Sequence, residues 1–129
     1  MVSNTLKVLI CDDSLLVRKK LKEDLEQCGC EILEASEGQA AIDMYKEHKP
    51  ELVFMDIVMP VQDGIMALKE IKDHDPGARV VMVSSSGTQS HLKRALEAGA
   101  DDFIQKPWEK TQIIAILGKV LKEKEGQNV

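Results

Sequence analysis

The sequence predicts a doubly wound α/β fold, in which helices cover both faces of one five-stranded parallel sheet. Three observations carry that prediction. A short run rich in Leu, Ile, Val and Met, followed by apolar residues at helical spacing, recurs five times in 129 residues. The connections between these runs are short, and consecutive parallel strands joined by right-handed crossovers lay their helices on both sides of the sheet. Composition agrees: 43% of residues are hydrophobic and only 3% aromatic, so the core must be aliphatic, and a chain of this length buries enough of it to fold alone. A single domain is expected over 1–129, with its core at about 6–122 and a polar tail over 123–129.

The first strand is Lys7–Cys11, KVLIC, ended by Asp12-Asp13-Ser14. Val17, Leu21, Leu25 and Cys28 then recur at helical spacing, with charged residues on the other faces, up to a stop at Gly29. Glu31–Ala35 is the second strand. Its helix runs from Gln39 to His48 and ends before Pro50, because a residue preceding proline disfavours the helical region.

The third unit opens with LVFMDIVMPVQD, Leu52 to Asp63, which brings a single carboxylate, Asp56, to the strand's end before a Met59-Pro60 and Asp63-Gly64 loop. Ile65, Leu68 and Ile71 share one face of the following helix, which stops at Asp75-Pro76-Gly77. Arg79–Val83 is the fourth strand; it leads into Ser84-Ser85-Ser86-Gly87 and a helix marked by Leu92, Ala95 and Leu96 that ends at Gly99. Asp102–Gln105 is the fifth strand, before Lys106-Pro107. Ile113, Ile116, Leu117, Val120 and Leu121 form the stripe of the last helix.

Several function classes are excluded or disfavoured by composition. A net charge of −5 and a pI of about 5.2 supply no clustered cations for a phosphate backbone, so no nucleic-acid partner is expected. No apolar run approaches the ~20 residues that span a bilayer, and the N-terminus has no long apolar signal segment, which points to a cytoplasmic protein with no membrane partner. Cys11, Cys28 and Cys30 make an odd count and read as free thiols; Cys28-Gly29-Cys30 lacks the C-x-x-C spacing of zinc knuckles and thioredoxin-type sites. His48, His74 and His91 read as surface residues. Met44, Met55, Met59, Met66 and Met82 read as core or near-core filler, and Trp108 as packing over the sheet edge.

In a parallel sheet, sites assemble beyond the carboxyl ends of the strands, where strand order reverses. Here those ends carry Asp12 and Asp13, Asp56, Ser84 and Lys106. Each alone has an ordinary reading as a helix cap, a turn residue or a loop lysine. Together they place three carboxylates, a hydroxyl and an ammonium along one edge. Two carboxylates 5 Å apart repel by ~3 kcal/mol at an effective dielectric of 20, so three acids against one lysine call for a cation. With oxygen donors and neither His nor Cys in the cluster, Mg²⁺ or Mn²⁺ suits it better than zinc, and the metal plus Lys106 balances the three acids. Such a site can spread the charge of a phosphoryl group over metal, lysine and hydroxyl, with one acid as nucleophile.

These residues resemble the receiver domain of two-component response regulators, and among them the single-domain chemotaxis type. The resemblance spans Lys7 to about Leu121 and rests on Asp12-Asp13, on Asp56 with Met59-Pro60 and Asp63-Gly64, on Ser84, and on Phe103 with Lys106-Pro107. It implies a flavodoxin-like sheet of order 2-1-3-4-5 with five helices. It further implies that Asp56 accepts a phosphoryl group from a histidine kinase; that Asp13, Asp56 and the main-chain carbonyl of Val58 ligate Mg²⁺, with Asp12 acting through water; and that Lys106 pairs with the phosphoryl oxygens. Ser84 and Phe103 stand at the switch positions, and Pro107 at a turn that usually contains a cis peptide bond. The output implied is binding of a motility or phosphotransfer protein by the face of the fourth helix, fifth strand and fifth helix, from a monomer or an activated dimer. Two departures stand out. Ser85 occupies a position where the family favours a very small residue, and Val58 is an apolar choice at a position that influences phosphoryl lifetime.

Other readings fit less well. An aspartyl-phosphate hydrolase of the haloacid-dehalogenase type needs a second Asp two residues after the nucleophile, where Val58 stands. A nucleotide-binding domain needs a Gly-rich loop after the first strand, where Asp12-Asp13-Ser14 stands. The expected role is therefore a switch and not an enzyme acting on other substrates, with a phosphorelay intermediate or a receiver excised from a larger regulator as alternatives. No output domain is expected within these 129 residues, since the last helical stripe lies close to their end.

Overall fold

The computed structural model describes residues 5–59, 63–85 and 89–127. Pro60 and the Ser86-Gly87 part of the turn after the fourth strand lie outside them. The elements alternate from end to end: β1 (Lys7–Cys11), α1 (Leu15–Gln27), β2 (Glu31–Ala35), α2 (Gly38–His48), β3 (Leu52–Asp56), α3 (Gly64–His74), β4 (Val80–Ser84), α4 (Gln89–Glu97), β5 (Asp102–Gln105) and α5 (Lys110–Gln127). Among the described residues the strands form one parallel sheet of order β2-β1-β3-β4-β5. The order reverses at β1, with β2 on one side of it and β3 on the other, and this is the edge where the topology opens a crevice.

Strand alternation divides the core in two. Leu9, Val53, Met55, Val80 and Met82 face one layer with Ile42, Tyr45, Ile65, Leu68 and Ile71 of α2 and α3. Val8, Ile10, Leu52, Phe54, Val81 and Val83 face the other with Leu21 and Leu25 of α1 and Ile113, Ile116 and Leu117 of α5. Every residue of β3 and β4 is buried, which explains why both read as unbroken apolar runs instead of alternating ones. β2 and β5 are the more open strands, as their positions at the two edges of the sheet dictate.

The helices start and stop where local chemistry satisfies free backbone groups. The Ser14 hydroxyl accepts a hydrogen bond from the Val17 N–H (3.3 Å), and Asp63 Oδ1 accepts from the Met66 N–H (2.9 Å). Gly29 and Gly99, the expected stops, adopt φ of +83° and +102°, conformations that favour glycine.

The structure refines or changes the sequence reading in several places. α1 begins at Leu15, immediately after its Ser14 cap and before the first buried position of its stripe. β4 is Val80–Ser84, one residue later than Arg79–Val83, because Val80 enters the ladder opposite Val53; Ser84 is thus the last strand residue and not the first of the turn. α5 continues through Gln127, so most of the predicted polar tail is helical. Its added turn is held by Arg79 to Glu123 (2.6 Å) and Lys124 to Glu51 (3.3 Å), contacts with β4 and β3 neighbours that helical periodicity cannot reveal. Met66 is not a core filler: it is 54% exposed, one position round α3 from the buried Ile65. His48 and His74 are exposed as expected, whereas His91 is half-buried.

Candidate functional site

Four strands deliver the predicted side chains to one edge. β1 ends at Cys11, and the next residue, Asp12, is still tied to the sheet through its N–H to the Ala35 carbonyl (3.2 Å). Its carboxylate accepts the Ser14 N–H on Oδ1 (2.8 Å), and its own carbonyl accepts from Arg18 Nη1 (2.6 Å). Asp12 is therefore buried, at 2% exposure, while its neighbour Asp13 is exposed. Asp56 closes β3 and is 5% exposed.

The chain around Asp56 is held tightly. The Ile57 N–H donates to the Val83 carbonyl (3.1 Å) and the Gly64 N–H to the Ile57 carbonyl (2.8 Å), so α3 starts directly against the acid's backbone. A Cβ on Gly64 would lie 1.8 Å from the Asp56 carbonyl oxygen. That overlap makes glycine obligatory here for a reason of close approach, not of φ. From sequence, Asp63-Gly64 reads as part of the loop before the third helix. A glycine at the first position of a helix, directly after an Asp cap, was the available signal.

One oxygen from each of Asp12, Asp13 and Asp56 lies within 4.8 Å of the others, and among the described residues this is the one acidic or His/Cys group so arranged. Lys106, at the end of β5, places Nζ 2.7 Å from Asp12 Oδ2 and 3.5 Å from Asp56 Oδ1. Its backbone N–H donates to the Ser84 carbonyl (2.7 Å), which locks the end of β5 to the end of β4, and the Lys106-Pro107 peptide bond is cis. Ser84 is buried at the same edge, one register step beyond Val83, the partner of Asp56. Phe103 pairs with Met82 deeper in the sheet and packs, half-buried, against the α2–α3 side of the core, outside the charged cluster. The Val58 side chain is 58% exposed and has no ligand atom, so the main chain is all this residue can offer an ion.

Electrostatics follow burial. Asp56 is pushed up from the ordinary carboxylate value to about 6, first by burial and then by the charge of Asp12, with Lys106 opposing both. Burial, reinforced by Asp12 and Asp56, raises the neighbouring Cys11 thiol to about 12; its sulfur is 3.6 Å from Met59 Sδ and is an inert packing group. Three clustered carboxylates against one ammonium, with oxygen as the donor atom throughout, fit a hard divalent cation of the Mg²⁺ or Mn²⁺ type. Asp13 on the open side, with Asp12 and Asp56 inside, gives such an ion an entrance.

Trp108, two residues past Lys106, packs into the α1–α5 half of the core at 6% exposure. Its Nε1 donates to Asp24 Oδ2 (2.9 Å), and Lys20 Nζ lies 5.9 Å from the ring centroid.

Comparison with known proteins adds a family to this geometry. The model of the response regulator receiver domain matches residues 8–118. The chemotaxis protein CheY of Bacillus subtilis is 46% identical over 116 residues, covering 89% of this chain and 97% of its own. CheY of Halobacterium salinarum is 45% identical over 115 residues, covering 89% and 96%. Among solved structures, a CheY-like receiver domain protein from Methanospirillum hungatei superposes with a TM-score of 0.89 at 25% identity, covering 95% of this chain and 98% of that one. A chain from the CheX-CheY-BeF3-Mg²⁺ complex of Borrelia burgdorferi does so with a TM-score of 0.84 at 36% identity, covering 89% and 88%.

Proposed function

Because the chain belongs to the response regulator receiver domain family, and so to phosphorylation-activated two-component signalling, we propose that Asp56 is its phosphoacceptor and that Asp12, Asp13, Ser84, Phe103 and Lys106 carry the rest of the switch. The single observation that carries this reading is the buried Asp56 carboxylate, crowded by Asp12 and shared with Lys106 at the edge of the sheet.

Asp13, Asp56 and the main-chain carbonyl of Val58 would hold Mg²⁺ or Mn²⁺, and Asp12 would reach it through water. The ion's contribution is to neutralise negative charge on the acids and on the transferred group. An Asp56 oxygen attacks the phosphorus of a kinase phosphohistidine, the P–N bond breaks, the imidazole leaves, and Asp56 becomes an acyl phosphate. Lys106, already 3.5 Å from Asp56, pairs with a phosphoryl oxygen. The Ser84 hydroxyl donates to another, drawing the end of β4 toward the acid, and Phe103 turns inward beside it. The output face is then α4, β5 and α5, where Leu92 and Leu96 are exposed.

The partners on this reading are a sensor histidine kinase and a downstream protein, and the CheY relatives favour a chemotaxis or motility partner over a phosphotransfer one. The similar Borrelia chain in a complex with CheX supports a protein as target. Residues 1–129 act as one receiver domain in the cytoplasm and promote no chemistry beyond their own phosphorylation and dephosphorylation. Incubation with Mg²⁺ and acetyl phosphate, followed by intact mass, tests the assignment. Wild type should gain one acid-labile phosphoryl group and Asp56→Asn none; equal labelling of the variant removes Asp56 from the role.

A further inference from the structure

Cys28 and Cys30 take no part in the phosphoryl site, which lies at the opposite edge of the sheet, yet they are set up as a pair. Cys28 caps α1, and the chain turns at Gly29 (φ +83°) to enter β2. The Cys30 N–H donates to the Leu25 carbonyl (3.2 Å) and the Gly29 N–H to the Glu26 carbonyl (3.0 Å), the two hydrogen bonds of a Schellman turn. Two 3.8 Å Cα steps folded at a left-handed residue leave the outer Cα atoms about 5–6 Å apart, inside the range that a disulfide spans.

Both side chains open on the same groove, a cavity of about 230 Å³ also lined by Leu6, Ile114, Leu117 and Leu121. Both are free thiols, Cys28 exposed and Cys30 half-buried. Burial, then the nearby Cys28 and Glu51, raise the Cys30 thiol to about 11, so an incoming reagent meets Cys28 first.

We propose that Cys28 and Cys30 are a redox-active dithiol, with Cys28 as the attacking thiol and Cys30 as the resolving one, which closes to a disulfide by exchange with a low-molecular-weight disulfide. The Cys28 thiolate attacks one sulfur of the reagent, the reagent's S–S bond breaks, and one small thiol leaves. Cys30 then gives up its proton, attacks Cys28 Sγ and expels the second small thiol. Two protein thiols are oxidised to one disulfide, and the reagent disulfide is reduced to two thiols. Cys11, buried beside Met59 on the other side of the core, stays reduced.

The test is oxidised glutathione added to the native full chain, followed by maleimide blocking, intact mass and peptide mapping. Wild type should lose both surface thiols together, become lighter by two hydrogen atoms and carry the link between Cys28 and Cys30. Cys30→Ser and Cys30→Ala should each stop at one stable glutathione adduct on Cys28, and Cys28→Ser should react at least tenfold more slowly. Acetyl phosphate labelling of every variant should match wild type, which shows that each is folded. A persistent glutathione adduct on wild type, a Cys28-linked dimer as the main product, or two thiols still blocked by maleimide would each overturn the proposal.

Discussion

Lys106 leans on Asp12 and not on Asp56: its Nζ is 2.7 Å from Asp12 Oδ2 and 3.5 Å from Asp56 Oδ1. The lysine therefore compensates a fully buried acid in the resting protein while remaining within reach of the phosphoacceptor. Removing it leaves Asp12 buried without its ammonium partner, a change that costs about 3–5 kcal/mol when one partner of a buried pair is lost. Lys106→Met should lower the metal-free urea midpoint accordingly. The same variant should bind Mg²⁺ at least threefold more tightly, because a competing cation is gone. A weaker Mg²⁺ titration would contradict this geometry.

Asp56 is an acid that the fold holds at a cost. Its folded value of about 6 lies above the ordinary 3.8, so the native state binds its proton more tightly than the unfolded chain does. The resulting stabilisation is present below about pH 4 and is lost as pH rises through about 6, a difference of roughly 2–3 kcal/mol. Asp56→Asn, which cannot ionise, should be more stable than wild type by up to that amount at pH 7.5 without divalent cations, and by little at pH 4. Thermal melts at the two pH values check this, and the wild-type deficit should shrink when Mg²⁺ is added.

Gly64 admits no side chain, since a Cβ would overlap the Asp56 carbonyl oxygen at 1.8 Å. Gly64→Ala must push α3's first turn away from β3 and should cost about 2–4 kcal/mol, in the range of other overpacked or strained core sites. Acetyl phosphate labelling should fall with it, because the displaced atom belongs to the phosphoacceptor's own backbone. Gly118→Ala, with nothing within 4 Å of its Cβ, should be neutral or slightly stabilising and serves as the control.

Trp108 connects the site's lysine to α1 through its hydrogen bond to Asp24. Asp24→Ala leaves the indole N–H without that partner and should destabilise by about 1 kcal/mol. Mg²⁺ should change Trp108 fluorescence in wild type, since Lys106 is two residues away and loses part of its electrostatic hold when the acids are neutralised. Asp13→Ala should weaken the response to Mg²⁺ without the stability loss of Asp24→Ala, and an unchanged titration would remove Asp13 as a ligand.

The alternation of five strands and five helices, and the residues that end each strand, are legible in the order of residues alone. Those features are local: apolar spacing of two or of three to four positions records which face is buried, and Ser14, Gly29, Asp63 and Gly99 mark ends through hydrogen bonds within a few residues. The strand ends carry Asp12, Asp13, Asp56, Ser84 and Lys106, of which the three acids and Lys106 do converge, and the family resemblance implies their roles. Partners distant in the chain are set only when the segments pack together. Adjacent Asp12 and Asp13 read alike, yet one is sealed under β2's edge and the other is open. Lys106 could have faced either acid, and Trp108 found Asp24 across 84 positions. Glu123 and Lys124 of α5 pair with Arg79 and Glu51, and Gly64 is required because the start of α3 lies against the Asp56 carbonyl. Periodicity carries no information about such contacts, because they depend on how crossovers and strand register bring separate segments together.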